Sequence, residues 1–226
     1  MPQARPESRV ASTGWVRGSY PARMDERDLG RSAARLWKLI AERAKTGADV
    51  ATIDQRIWDL FGEEWAVMFT DLAGFSRNVA EFGIIHFLQV IWEHQELLGP
   101  VIAAHDGLLL KTEGDSLMLL FRRPRRALDC ALAMQRACAQ VNQRRRPEDQ
   151  ILLCIGIGWG RVLRIGDEDV WGQEVNAASK LGEDTAKSGE ILVTAAAHAV
   201  LAEDTALRFE PIGKVTGSAE NYRLLS

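Results

Sequence analysis

The chain has 226 residues, of which 46% are hydrophobic and 26% charged, with a formal net charge of −3. This predicts a water-soluble globular protein with room for one ordinary domain plus an extension, and the balance leaves no basic footprint for nucleic acid. No apolar run approaches the ~18 residues that span a bilayer, the first residues lack the order of a secretion signal, and Cys130, Cys138 and Cys154 fit no metal-ligand spacing. A reduced, cytoplasmic protein is expected, with neither nucleic acid nor membrane as a partner.

Residues 1–23 carry Pro, Ser, Gly and Arg without periodicity, and disorder is expected there. From 25 to 45, Ala33, Leu36, Trp37, Ile40, Ala41 and Ala44 follow i, i+3, i+4, i+7 spacing, an amphipathic helix ending near Thr46-Gly47. A second helix is predicted over 50–61, with Ile53, Ile57, Trp58 and Phe61 buried. The pair either packs on the following domain or contacts a second copy. Strands and helices then alternate: a strand at 65–70, a helix at 76–98 ended by Pro100, a hairpin at 108–121 turning on Gly114-Asp115, and a helix from Pro124 to about Asn142. A strand at 151–159, a short one at 161–165, a helix at 175–183, a strand at 190–194 and a helix at 195–202 follow, and strands at 207–212 and 221–225 close the sheet. The core order βαββαβ implies an antiparallel sheet with helices on one face. The division expected is 1–23 disordered, 24–62 helical extension and 63–226 the main folded domain.

Several polar residues sit where apolar strands end. Asp71 closes the run VMFTD, Asp115 sits in the hairpin turn, and Lys111 lies four residues before it. Asn176 and Lys180 share a helix face at i, i+4, a short way after Asp169. Two carboxylates at strand ends suit a divalent metal, and a helix N-terminus beside them suits phosphate. Taken singly, Asp71 could be only a helix cap, Gly114-Asp115 only a turn, and Lys111 a strand-edge lysine. His86, His94, His105 and His198 show no ligand spacing and read as surface or satisfied helix residues.

The set FTDLAGFS, KTEGDS and DVWGQEVNAASK, in this order, resembles the catalytic domain of the class III adenylyl and guanylyl cyclases from about residue 64 to 225. The resemblance implies an α+β, ferredoxin-like βαββαβ core with extra C-terminal strands, acting as a head-to-tail homodimer with its active site between subunits. It implies ATP as substrate, cyclic AMP and pyrophosphate as products, and two divalent cations, Mg or Mn, held by Asp71, Asp115 and the Leu72 carbonyl. The turn Ala73, Gly74, Phe75 and Ser76 would cradle the triphosphate. Lys111 and Asp169 of the other subunit would read adenine, with Val170 contacting the purine through its backbone. Asn176 would orient the ribose, and Lys180 would meet the α-phosphate. The sequence departs from the family pattern at Lys180, where many members have arginine, at Thr216, where many have a lysine (Lys214 lies two residues earlier), and at Glu113, a position often apolar. These departures motivate an alternative: a weak or inactive homologue serving as a nucleotide-binding, dimerising module.

Overall fold

The computed structural model describes residues 32–215 and 217–225, so the stretch expected to be disordered, residues 25–31 of the first expected helix, and Thr216 lie outside the described residues. Helix α1 (Ser32–Arg43) and helix α2 (Val50–Phe61) form from the spacing noted above. Asp49 caps α2 by accepting from the Thr52 N–H at 3.2 Å. The two helices bury Leu36, Leu39, Ile53, Ile57 and Phe61 together with Ile165 of the main domain. Full burial of such side chains contributes about 1.5–3 kcal/mol each, enough to fix the pair in place. Trp58, expected in the core, is only half-buried; the Arg161 guanidinium lies 4.6 Å from its ring centre.

Helix α2 passes directly into β1 (Gly62–Leu72), the middle of the sheet. Strict alternation decides what each face of β1 carries. Ala66, Met68 and Leu72 enter the larger core; Trp65, Val67 and Phe69 enter a smaller one on the opposite face. After β1 the expected single helix is two, α3 (Phe75–Phe82) and α4 (Ile84–Ala104). The break is Gly83, whose φ of 86° is one that side-chain-bearing residues avoid. Pro100 does not end α4, which runs a further turn. Pro100 and Glu96, whose carbonyl loses its intrahelical donor, both face water, which can replace that bond.

The hairpin forms as predicted, β2 (Leu108–Glu113) with β3 (Ser116–Phe121) and Gly114 at φ 60°. Helix α5 (Pro124–Asn142) leads to β4 (Leu153–Ile165), one continuous strand where two were expected. Its partner is the reason: β1 pairs with it without interruption from Gly62↔Leu163 to Leu72↔Leu153 and carries Gly160 through. A short strand unforeseen in the sequence, β5 (Asp169–Trp171), folds back on β4. Then come α6 (Gln173–Ser179), a π-helical turn (Lys180–Thr185), β6 (Ile191–Thr194), α7 (Ala195–Leu201), β7 (Arg208–Val215) and β8 (Ser218–Leu225). The sheet order is β2-β3-β1-β4-β6-β8-β7, with β5 on β4, and among the described residues only β4–β6 is parallel. This is the α+β, mostly antiparallel ferredoxin-like core with C-terminal strands added.

Helices do not keep to one face. The larger core, under α4, α5 and α7, includes Phe87, Leu98, Leu128, Met134 and Ala197. On the other face Val175 and Ala178 of α6 pack on Trp65, Val67 and Phe69. The approach there is close: a Cβ on Gly156 would stand 2.3 Å from the Ala178 carbonyl oxygen, and one on Gly158 2.6 Å from that of Glu174. The glycines of the run IGIG are therefore the seat of α6.

Candidate active site

The alternation that puts Val67 and Phe69 on the α6 face puts Asp71 there too, at the open end of the row. On the hairpin, Met118 belongs to the same face, and with it Ser116 and their cross-strand partners Lys111 and Glu113. Phe69, Lys111, Glu113, Ser116, Met118 and Glu183 line one small cleft. Of the sequence-predicted residues, Asp71 and Lys111 thus lie on this face, whereas Leu72 points its side chain into the larger core.

Asp71 and Asp115 come together although one ends a strand and the other occupies a turn. Ser116, forty-five residues from Asp71 in sequence, donates its hydroxyl to Asp71 Oδ1 at 3.0 Å. Burial, then the neighbouring Asp115 charge, push the Asp71 carboxyl up to about 7, against the opposing effect of the Ser116 hydrogen bond. Asp115 is likewise raised, first by burial, and the Leu72 N–H bears on both carboxylates. Asp115 Oδ2 is buried with no hydrogen-bond partner. Asp71 caps no helix: the N-cap of α3 is Gly74, at φ 89°, without a side-chain cap bond.

A divalent cation fits this donor set. Two half-buried carboxylates that hold protons too tightly, one with an orphaned oxygen, are what a site for a hard cation looks like without its charge. Among the described residues no three His, Cys, Asp or Glu side chains form a metal cage. Two carboxylates with a backbone carbonyl, completed by water and substrate oxygens, match the habit of Mg²⁺.

Lys111 Nζ and Asp169 Oδ2 meet at 2.8 Å, each side chain a little over one-quarter exposed. Asp169 Oδ1 also accepts from the Val170 N–H at 2.8 Å, so that donor is already used. The Ala73 N–H is used as well, by the Leu152 carbonyl at 2.8 Å. The Ala73 N–H is therefore not open for a phosphate; Gly74 is the N-cap of α3, which begins at Phe75. Asn176 and Lys180 are both exposed, and Lys180 Nζ is 2.5 Å from Asp184 Oδ2. Lys214 is exposed on β7.

The sequence reading missed Glu183. Its carboxyl accepts from the Ser179 hydroxyl, faces Ser116, and is raised by burial first; its charge in turn raises Asp71. Its spacing of seven from Asn176 was the available signal. The close fit of Gly182, whose added Cβ would stand 2.7 Å from the Phe69 carbonyl oxygen, presses the π-turn onto β1 and brings Glu183 inward. His94 also differs from expectation: it is fully buried with neither ring nitrogen partnered.

A ferredoxin-like sheet with a carboxylate pair on the face opposite its long helices is the build of a nucleotide cyclase domain. The chain belongs to the family of the adenylate and guanylate cyclase catalytic domain, whose model matches residues 62–223. It is 31% identical over 160 residues to the serine/threonine-protein kinase pkn2 of Myxococcus xanthus, covering 70% of this chain and 19% of that protein. It is 28% identical over 176 residues to an adenylate cyclase of Streptomyces coelicolor, covering 77% and 40%. The chain thus spans well under half the length of these relatives. A crystal structure of an adenylate/guanylate cyclase/hydrolase from Silicibacter pomeroyi matches with a TM-score of 0.61 at 26% identity, covering 73% of this chain and 98% of that one. No helix among the described residues is long and apolar enough to cross a membrane.

Proposed function

We propose that the catalytic domain, from about residue 63 onward, is an adenylyl cyclase that converts ATP to 3′,5′-cyclic AMP and pyrophosphate in the cytoplasm, as a homodimer with its site between subunits. The observation that carries this is the convergence of Asp71 and Asp115, one of them with a buried oxygen that has no hydrogen-bond partner. The names of relatives such as the Streptomyces adenylate cyclase support the choice of adenine, as does a lysine–aspartate pair in place to read it.

The reaction is an in-line displacement at the α-phosphorus by the ribose 3′-oxygen, in which the protein positions groups and neutralises charge. Two divalent cations, held by Asp71, Asp115 and the Leu72 carbonyl, would acidify the 3′-hydroxyl and stabilise both the attacking and leaving oxygens. The N–H groups of Gly74, Phe75 and Ser76 face the triphosphate. From the other subunit Lys111 donates to a ring nitrogen of adenine and Asp169 accepts from the exocyclic amine. The Lys111–Asp169 ion pair keeps the two groups side by side, and the Val170 backbone would contact the purine. Asn176 orients the ribose, and Lys180 meets the α-phosphate.

The test is product formation from ATP and from GTP, side by side, with Mn²⁺. Cyclic AMP from ATP is expected, lost in Asp71→Ala and in Lys111→Ala and partly restored when those two inactive proteins are mixed. Mixing without recovery would sink the shared site. A second reading, a nucleotide-binding module of little activity, is favoured by one observation: Lys180, already a poorer phosphate fork than arginine, is engaged by Asp184. Binding of ATP with Mn²⁺ but no product would favour it.

A further inference from the structure

The Ser116 hydroxyl stands between two carboxylates and has one proton to give. It donates to Asp71 Oδ1, yet it also faces Glu183 and favours that group's charged form. Glu183 is anchored from its far side by Ser179. The π-turn that carries it lies close on the sheet, where a Cβ on Gly182 would stand 2.7 Å from the Phe69 carbonyl oxygen and 3.0 Å from the Gly156 nitrogen. A fixed acceptor therefore waits beside the hydroxyl that Asp71 is using.

We propose that Glu183 is a positioning residue for the metal site: it takes over the Ser116 hydrogen bond when Asp71 turns its oxygen to a cation. The inference rests on the reading of Asp71 and Asp115 as metal ligands. Without the cation, Ser116 partly satisfies Asp71. With the cation, a hydroxyl still pointing at Asp71 Oδ1 competes for the same lone pairs, and Glu183 gives its hydrogen somewhere else to go. Outer partners of this kind typically change metal affinity by 10–100-fold.

Glu183→Gln reverses the device. With the Ser179 hydroxyl donating to its oxygen, the carboxamide presents its NH2 to Ser116 Oγ, which leaves the serine hydrogen fixed on Asp71. Mn²⁺ binding to the nucleotide-free protein, followed by loss of the free-ion electron spin resonance signal, is the readout, with thermal midpoints in chelator as the check on folding. Glu183→Gln is expected to raise the Mn²⁺ dissociation constant roughly tenfold. In a Ser116→Ala background the same change should cost about threefold or less, the residue of losing one nearby charge. Glu183→Ala, which removes the charge without supplying a donor, should bind Mn²⁺ more tightly than Glu183→Gln. An equal penalty in both backgrounds, no penalty at all, or Glu183→Ala weaker than Glu183→Gln would each overturn the proposal. Wild-type protein that holds no Mn²⁺, or an Asp115→Asn variant that holds it equally well, would instead overturn the metal reading beneath it.

Discussion

On one face of the sheet α4, α5 and α7 stand off at side-chain distance, over a core of Phe, Leu and Met with buried, reduced Cys130 and Cys138. On the other, α6 and the π-turn lie with their backbone against β4, seated on Gly156 and Gly158. The first face is thick, dry and closed, and its burial raises both thiols well above their usual range. The second is thin and ends in half-buried carboxylates and the Lys111–Asp169 pair. A sheet needs only one well-filled face to be stable. The other is then free to give up packing depth for an arrangement of charges, and the site lies there.

The largest effect should come from the carboxylates. Asp71→Ala or Asp115→Ala is expected to lower cyclic AMP formation by at least ~10³, about 4 kcal/mol of transition-state stabilisation. The fold should survive, because neither residue belongs to the closed face. In chelator Asp71→Asn should melt higher than wild type, since it removes a half-buried charge held beside a like one. A lower midpoint for Asp71→Asn would mean that the pair is structural, and the contrast between the faces would lose its meaning.

Next is the seat itself. Gly156→Ala places a methyl where the Ala178 carbonyl and the Gly182 N–H already stand, 2.3 and 2.4 Å away. Both are backbone and cannot swing aside, so a loss of about 3 kcal/mol is expected, roughly 6–12 °C in thermal midpoint. The control lies on the opposite side: Gly99 in α4 has nothing within 4 Å of its Cβ position. Gly99→Ala should be neutral or stabilise by up to ~1 kcal/mol. Similar midpoints for the two variants would show that the thin face is not thin.

Much of this was legible in the sequence, because strand alternation survives tertiary folding: Val67, Phe69 and Asp71 share a face in any sheet, and Gly114-Asp115 turns in any hairpin. Glu183 was not, beyond its spacing of seven from Asn176, because a helical period carried through residue 183 gives no sign that the chain widens into a π-turn at Lys180. Nor was the contact of α6 with β4, where IGIG reads simply as a weak strand until a helix is laid on it. His94 was misjudged for another reason. It stands four residues from both Val90 and Leu98, on the buried stripe of α4, but a histidine there was expected to find a partner.

His94 tests the closed face from within. Burial holds its imidazole down to about 4, whereas an unfolded chain protonates near 6.5. The unfolded state therefore binds the extra proton first. The contribution of His94 to stability should be complete above about pH 6.5 and fall as pH drops toward 4, by about 3 kcal/mol in total, while the raised carboxyls of the other face work in the opposite direction. His94→Leu, which removes two unpartnered nitrogens, should gain about 1–2 kcal/mol at neutral pH and lose that slope between pH 6.5 and 4. Chemical denaturation at several pH values reads both. A slope unchanged in the variant would rule His94 out as its source, and the carboxylate face could not replace it, because its raised carboxyls take up protons on folding and gain stability as pH falls.

The smallest effect is expected at Lys180, and it decides between the two readings of the site. Its ion pair with Asp184 joins side chains 48% and 57% exposed, and such pairs contribute at most ~1 kcal/mol. That is too little to keep a lysine from the charge of a triphosphate, so Asp184 guides the ammonium more than it restrains it. Arginine could hold Asp184 and a phosphate oxygen at once through its planar fork. Lys180→Arg should therefore raise kcat by about two- to fivefold, under ~1 kcal/mol, and Asp184→Asn should move KM for ATP by less than about twofold. A gain of a hundredfold or more would mean that lysine is a lesion and that the natural chain is kept for binding. Such a protein would still need its carboxylate pair to load metal and nucleotide, so Mn²⁺ affinity, unlike turnover, would be the same in Lys180→Arg and wild type.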